Sequence, residues 1–354
     1  MPKTILEVKH LCTSFLQEGG GELRAVDDLS YTVHDRECVA IIGESGSGKS
    51  VSALSILRLI PYPPGIIKSG QIMFQGRDLL QLSNEELEDI RGRDISMIFQ
   101  EPTTSLNPVL TIGDQITENI LIHGAVEDQN LTEEEKAKYQ GMNLKQRAWA
   151  RAAELLSLVD IPNPDVRLKD YPFQFSGGMQ QRAMIAMGMS CNPDLLICDE
   201  PTTALDVTVQ AQVLEQLNQL RKDFGTALII ITHNLGVVAR YADSVKIMYG
   251  GEIVEEGSTE DIFRRPHHPY TLGLIHAVPR LDLPRSHGLY TIEGEPPDMS
   301  KIPPNCCAFH SRCKYADERC RTERPQPEQV GEQHWCACFH REAAQAEREE
   351  VLSV

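Results

Sequence analysis

The 354-residue chain has no stretch approaching the roughly 18–20 consecutive apolar residues that a membrane-spanning helix requires. Its longest strand-like run, Ala227-Leu-Ile-Ile-Ile-Thr232, has the length of a buried strand instead. The opening Met1-Pro-Lys-Thr-Ile-Leu-Glu lacks the apolar core of a secretory signal. These absences lead to the expectation of a protein kept in the cytoplasm, which reaches any membrane through a partner. Basic residues are also scarce, with 34 Lys and Arg against 51 Asp and Glu and a net charge of −17. A chain that wraps nucleic acid needs a basic face to meet the phosphate backbone, so no nucleic-acid partner is expected. Internal repeats are absent. The length fits a large domain with an appendage, and at 41% hydrophobic residues the chain can bury a substantial core.

Two short segments carry most of the chemical information. Residues 43–50 read Gly-Glu-Ser-Gly-Ser-Gly-Lys-Ser, between the apolar run Val39-Ala-Ile-Ile-Gly43 and a segment of helical spacing from Ser50. Strand, glycine-rich loop and helix is the context in which consecutive backbone N–H groups can cradle phosphates. Gly46 and Gly48 permit the tight turn, Ser45, Ser47 and Val51 complete the loop, Lys49 reaches the β- and γ-phosphates, and the Ser50 hydroxyl suits Mg²⁺. Further on, Phe175-Ser-Gly-Gly-Met-Gln-Gln-Arg182 reads as a turn opening a helix. The apolar run Leu195-Leu-Ile-Cys198 then ends in Asp199-Glu200. Asp199, at the carboxyl edge of a parallel sheet, suits Mg²⁺ through water, and Glu200 is placed to polarise an attacking water as general base. An Asp-Glu pair taken alone is equally a solvated strand end.

Strands are also predicted at Ile5-Leu-Glu-Val-Lys-His-Leu and Ile95-Ser-Met-Ile-Phe99, with a hairpin over Val245–Val254 turning at its two glycines. Residues 110–190 read as mainly helical. Within them the polar stretch Glu127–Arg147 offers few anchors for a core and is expected to be a surface excursion.

In combination and order these motifs resemble the ATP-binding subunits of ABC transporters, over roughly residues 5–260. The resemblance implies an α/β fold: a P-loop ATPase domain at 1–262 with a parallel core sheet, an antiparallel β subdomain and a helical subdomain at about 102–190. A loop-rich, cysteine-containing appendage at 263–354 follows. Each matching position receives a role. Phe15 matches the aromatic that stacks on adenine, with a core phenylalanine as the alternative. Gln100 matches the glutamine that touches Mg²⁺ and water and senses the membrane subunit. Ser176, Gly177 and Gly178 match the turn that clamps the γ-phosphate of ATP held by the opposite subunit. Asp206 matches the loop that communicates across the dimer, and His233 the switch histidine at the γ-phosphate. The implied mechanism is a sandwich of two such domains around two ATP molecules. Met179 stands where glutamine is commoner, which implies less reliance on that side chain.

Gln100-Glu-Pro-Thr-Thr-Ser-Leu-Asn-Pro108, Pro201–Gln212 and His268-Pro-Tyr-Thr-Leu272 resemble the importers of di- and oligopeptides, some of which carry nickel complexes. That branch implies two transmembrane permeases, a paralogous ATPase subunit or a second copy of this one, and an extracytoplasmic binding protein. It also implies a peripheral place on the inner face of a bacterial membrane. An importer of nickel complexes or opines, and a soluble ABC ATPase, are the alternatives.

Four of the ten cysteines (Cys12, Cys38, Cys191 and Cys198) sit in apolar stretches and read as small core residues. The other six lie between 306 and 338. In a cytoplasmic chain such crowding suggests metal rather than disulfides. Cys307-Ala-Phe-His-Ser-Arg-Cys313 matches the Cys-x-Phe-x-x-Arg-Cys of the peptide-importer branch, and Cys320 and Cys338 extend it. Paired Cys-x-x-Cys knuckles are lacking. The resemblance implies a [4Fe–4S] cluster, with zinc as the alternative, while Cys306 and Cys336 leave the choice of ligand open by one neighbour at each end.

Overall fold

The computed structural model describes residues 3–17, 19–202, 205–278 and 290–352. It comprises two compact units, one formed by residues 6–33, 37–80 and 231–354, the other by residues 1–5, 34–36 and 81–230. Elements are numbered in chain order.

The unit that carries the glycine-rich loop contains an antiparallel sheet of β1 (Thr4–Leu16), β2 (Glu22–His34), β4 (Gly65–Phe74) and β5 (Arg77–Asp78), in the order β2-β1-β4-β5. β1 buries Leu6, Val8 and Leu11 in the core. The loop follows β3 (Cys38–Ile42), all five residues of which are buried, and opens α1 (Lys49–Ile56). The helical spacing predicted from Ser50 through Ile60 stops at Ile56, ahead of Pro61, Pro63 and Pro64, which cannot continue a helix. β3 pairs in parallel with β9 (Ser244–Tyr249), and β9 turns at Gly250-Gly251 into β10 (Glu252–Ser258), the predicted hairpin.

Residues on both sides of position 262 fall in this same unit. The loop-rich segment holds α11 (Thr259–Arg264), α12 (Pro269–His276), α13 (Glu318–Thr322), β11 (Glu328–Gly331), β12 (His334–Cys336) and α14 (Arg341–Leu352), after α10 (Leu235–Tyr241). β12 adds antiparallel to β10, with Glu255 opposite Cys336. Tyr270, Cys307, Phe309 and Cys320 pack into one apolar core with Ala40, Ile42, Ile247 and Tyr249. The appendage therefore completes a core it shares with the strand that feeds the phosphate loop. Residues 279–289 of this segment lie outside the described residues.

In the other unit, β6 (Ile95–Ile98) pairs in parallel with β7 (Leu195–Asp199), Ile95 opposite Leu195, and β7 lies between β6 and β8 (Ala227–Ile231). Every residue of β7 and β8 is buried, as a strand covered on both faces requires. The helices are α2 (Asn84–Ile90), α3 (Pro102–Ser105), α4 (Ile112–Ile122), α5 (Glu133–Lys138), α6 (Leu144–Leu158), α7 (Pro164–Arg167), α8 (Gly177–Gly188) and α9 (Val207–Phe224). The polar stretch at 127–147 is better anchored than its composition suggests. Thr132 and Asn143 form capping boxes at α5 and α6, and Tyr139 is 1% exposed with its hydroxyl 3.3 Å from the Glu154 carboxylate. One aromatic residue supplies the anchor that a count of apolar residues overlooks. Among the described residues no helix is long and apolar enough to cross a membrane.

Candidate functional site

The glycine-rich loop is held open by its own lysine. Lys49 is 5% exposed, and its Nζ donates to the Gly43 and Glu44 carbonyls at 2.8 and 2.9 Å. Gly48 has φ +97°, and a Cβ there would stand 2.2 Å from the Ala25 carbonyl oxygen, so no other residue fits. Ser47 Oγ is buried without a hydrogen-bond partner, a hydroxyl that a ligand oxygen can satisfy. Ser45 and Gly46 are exposed at the rim, and Ser50 and Val51 are half-buried at the start of α1. The same unit holds Phe15 near the end of β1. Phe15 is half-buried, facing Gly65 across the strand pair, and so is not a fully buried core residue. His233 is exposed just after β8, where the Asn234 side chain caps α10.

The other unit brings together the acids of β7 and the glutamine that follows β6. Asp199 is 6% exposed at the end of β7. Glu200 is half-buried, and its Oε2 accepts from Gln100 Nε2 at 3.1 Å. Glu200 also has φ +45°, in the left-handed region that a long side chain rarely adopts. Backbone strain of this kind concentrates at working positions, and nothing in the sequence around Asp199-Glu200 signals it.

Ser176 caps α8, its Oγ accepting from the Met179 N–H at 3.3 Å. A Cβ on Gly178 would meet Val209 Cγ1 at 2.9 Å, whereas one on Gly177 would meet nothing within 4 Å. Packing within this chain therefore explains the second glycine but not the first. Asp206 is exposed and caps α9, its Oδ1 accepting from the Thr208 and Val209 N–H groups at 3.1 and 3.0 Å. Thr203 and Ala204, which precede it, lie outside the described residues.

The cysteine-rich segment gathers a nest of thiols, those of Cys306, Cys307, Cys320 and Cys336 buried and those of Cys313 and Cys338 half-buried. All ten cysteines are free of disulfides. Cys307, Cys313, Cys320 and Cys338 interact electrostatically with one another, and burial pushes each thiol up, that of Cys338 to about 12. The His340 N–H donates to the Cys338 sulfur at 3.3 Å, and backbone N–H groups near Cys307 and Cys313 oppose the upward push of burial on those thiols. Amide donors aimed at sulfur favour thiolates. The Cys306 thiol instead donates to the Pro303 carbonyl at 3.3 Å. Cys336 is buried beside Glu255 as well as beside Cys338 and Cys307. Asp317, Cys320 and His340 place one ligand atom each within 4.8 Å of one another, a mixed donor set that the sequence reading did not identify.

In the sequence Arg312 is the arginine of the Cys-x-Phe-x-x-Arg-Cys motif, where it carries no role of its own. This residue ion-pairs with Glu44, inside the phosphate loop, at 2.5 Å. A separation of 268 positions leaves no local pattern that would pair it with Glu44.

Residues 26–203 match the family described as ABC transporter, and residues 254–320 match that described as oligopeptide/dipeptide transporter, C-terminal region. The oligopeptide transport ATP-binding protein OppD of Bacillus subtilis (strain 168) is 45% identical over 98% of this chain and 92% of its own length. The dipeptide transport ATP-binding protein DppD of the same organism is 47% identical over 87% of this chain and 86% of its own length. A bacterial ABC transporter cassette solved as a dimer aligns with a TM-score of 0.60 at 25% identity, covering 72% of this chain and 99% of that one.

Proposed function

The chain belongs to the ATP-binding proteins of the ABC transporter family, with the C-terminal region of the oligopeptide/dipeptide transporters, and on that premise we propose that it hydrolyses ATP to drive import of di- or oligopeptides. The observation that carries this reading is the phosphate loop built around Lys49, in one chain with the peptide-transporter C-terminal region.

In the proposed mechanism the loop N–H groups from Ser45 to Val51 and the Lys49 amine bind the phosphates of ATP, and Phe15 stacks on adenine. Ser50, Asp199 and Gln100 are the residues that would hold Mg²⁺, which offsets charge on the phosphate oxygens when bound. Glu200 takes a proton from the attacking water, and Gln100, hydrogen-bonded to it, orients that carboxylate. His233 contacts the γ-phosphate. Ser176 and Gly177 present an exposed, sterically open turn suited to the γ-phosphate of ATP bound by a second ATPase subunit, and Asp206 lies in the loop that reads its state. That second subunit is a paralogue or another copy of this chain.

Two permeases and an extracytoplasmic peptide-binding protein complete the proposed machine, with this subunit peripheral on the inner face of the membrane. A cleft lined by Phe99, Leu106, Ile122, Met184 and Met187, next to the segment after Gln100, offers an apolar seat for a permease segment. The test is a membrane pull-down of the Glu200→Gln chain with ATP, with retained proteins identified by mass spectrometry. Two polytopic permeases, a second ATPase and a peptide-loaded binding protein are expected. Recovery of a nickel-complex or opine importer would reassign the cargo, and recovery of ribosomal or DNA-associated proteins would reassign the machine.

For the cysteine nest we propose Cys307, Cys313, Cys320 and Cys338 as ligands of a [4Fe–4S] cluster. Four neighbouring thiols, that of Cys338 with an amide donor on its sulfur, suit it, and a cubane spaces its ligands more widely than a single ion does. Bound there, it would tie α13 and the segment after β12 together. Zinc is the second reading, favoured by the tight Asp317, Cys320 and His340 group.

A further inference from the structure

We propose that Arg312 is a positioning residue for the phosphate loop, clamping Glu44 so that the Glu44 carbonyl stays on the Lys49 amine. The inference deepens the ATP-site reading and rests on it.

Every polar group of Glu44 is engaged. Its carboxylate accepts from Arg312 Nη1 at 2.5 Å and from Nη2 at 3.2 Å, the two-pronged geometry that only a guanidinium provides. Its N–H donates to the Tyr270 hydroxyl at 2.9 Å. Its carbonyl accepts from Lys49 Nζ at 2.9 Å and from the Ser47 N–H at 3.2 Å. With its carboxylate and its N–H both anchored, Glu44 has little freedom to rotate its peptide, so the carbonyl that holds Lys49 is fixed from outside the loop.

The anchor is itself rigid. The Arg312 side chain is 5% exposed, its Nε donates to the Glu293 carbonyl at 3.0 Å, and its Nη1 reaches the Tyr249 hydroxyl at 3.4 Å. Tyr249, Tyr270 and Phe309 pack ring against ring, with centroids 4.6 to 5.3 Å apart. Arg312 and Phe309 both lie in the Cys307–Cys313 turn, so the cysteine-rich segment supplies the clamp directly. A merely structural ion pair would not need to select the one acidic residue inside the phosphate loop, nor be doubled by Tyr270 on the same residue.

The test is a double-mutant cycle in the full chain, with a fluorescent ATP analogue as the probe and steady-state ATPase kinetics alongside. Arg312→Gln and Glu44→Gln should each weaken nucleotide binding about fivefold to tenfold, and the double variant should be no weaker than the worse single one, because both remove one shared interaction. The loss should fall on KM more than on kcat. Losses that multiply, or either variant binding like the parent, would overturn the clamp. Should Arg312→Gln not fold, Glu44→Gln decides alone, since it leaves the aromatic packing in place and parent-like binding would refute the proposal. A parent chain that itself binds no nucleotide would refute the ATP-site reading, which is a separate result.

Discussion

Gln100 Nε2 donates to Glu200 Oε2 at 3.1 Å, joining the residue after β6 to the residue after β7. The contact holds a carboxylate whose own backbone is in the left-handed region, so two independent constraints aim the Glu200 side chain. Parallel pairing of β6 with β7 brings the two strand ends level. Sheet register thus sets the distance between residues 100 positions apart.

Replacing Glu200 by Gln keeps shape and hydrogen bonding but removes the base. Turnover should fall about 10²- to 10⁴-fold, the range of general-base catalysis, with nucleotide binding retained. Phosphate release and nucleotide titration on the same preparation check this. Near-normal turnover would remove Glu200 from the role.

Gly178→Ala puts a methyl group 2.9 Å from Val209 Cγ1. The overpacking should cost about 1–3 kcal/mol, and Val209→Ala in the same chain should recover most of it. Thermal unfolding of the single and double variants reads this. Gly177→Ala, with open space around it, should leave stability close to the parent.

Stability should decline on acidification through His268. Burial lowers its pKa from 6.5 to about 4, and its Nδ1 accepts the Tyr270 N–H at 3.0 Å, a bond that protonation abolishes. The unfolded chain therefore binds the proton first. The contribution is complete above pH 6.5 and disappears as pH falls toward 4, up to about 3 kcal/mol. Urea unfolding across that window should show a shallower pH slope for His268→Asn, which keeps a capping side chain. Equal slopes would assign the acid limb to other groups.

Cys313→Ser and Cys338→Ser should lower iron and acid-labile sulfide in chain purified without oxygen, while Cys306→Ser should not, because its thiol is turned to Pro303. Elemental analysis with sulfide determination checks this. Zinc in place of iron, lost on Asp317→Asn or His340→Ala, would select the single-ion reading.

Motifs whose function lies in a few consecutive peptide groups could be read from the chain alone. The phosphate loop needs strand, glycines, lysine and helix in that order, and Ser176 needs only the three residues after it to act as a cap. Buried strands such as β7 and β8 also declare themselves, because covering both faces demands an unbroken apolar run. The tertiary structure alone decided what depends on distant partners. It set the left-handed backbone of Glu200, the single aromatic that anchors the 127–147 stretch, and the thiol that turns away from the nest. The same holds for the core that joins the cysteine-rich segment to β3 and β9, and for Arg312 on Glu44. These relationships arise when folding spends chain entropy to bring remote residues into contact, and they leave no periodicity or spacing in the sequence by which to read them.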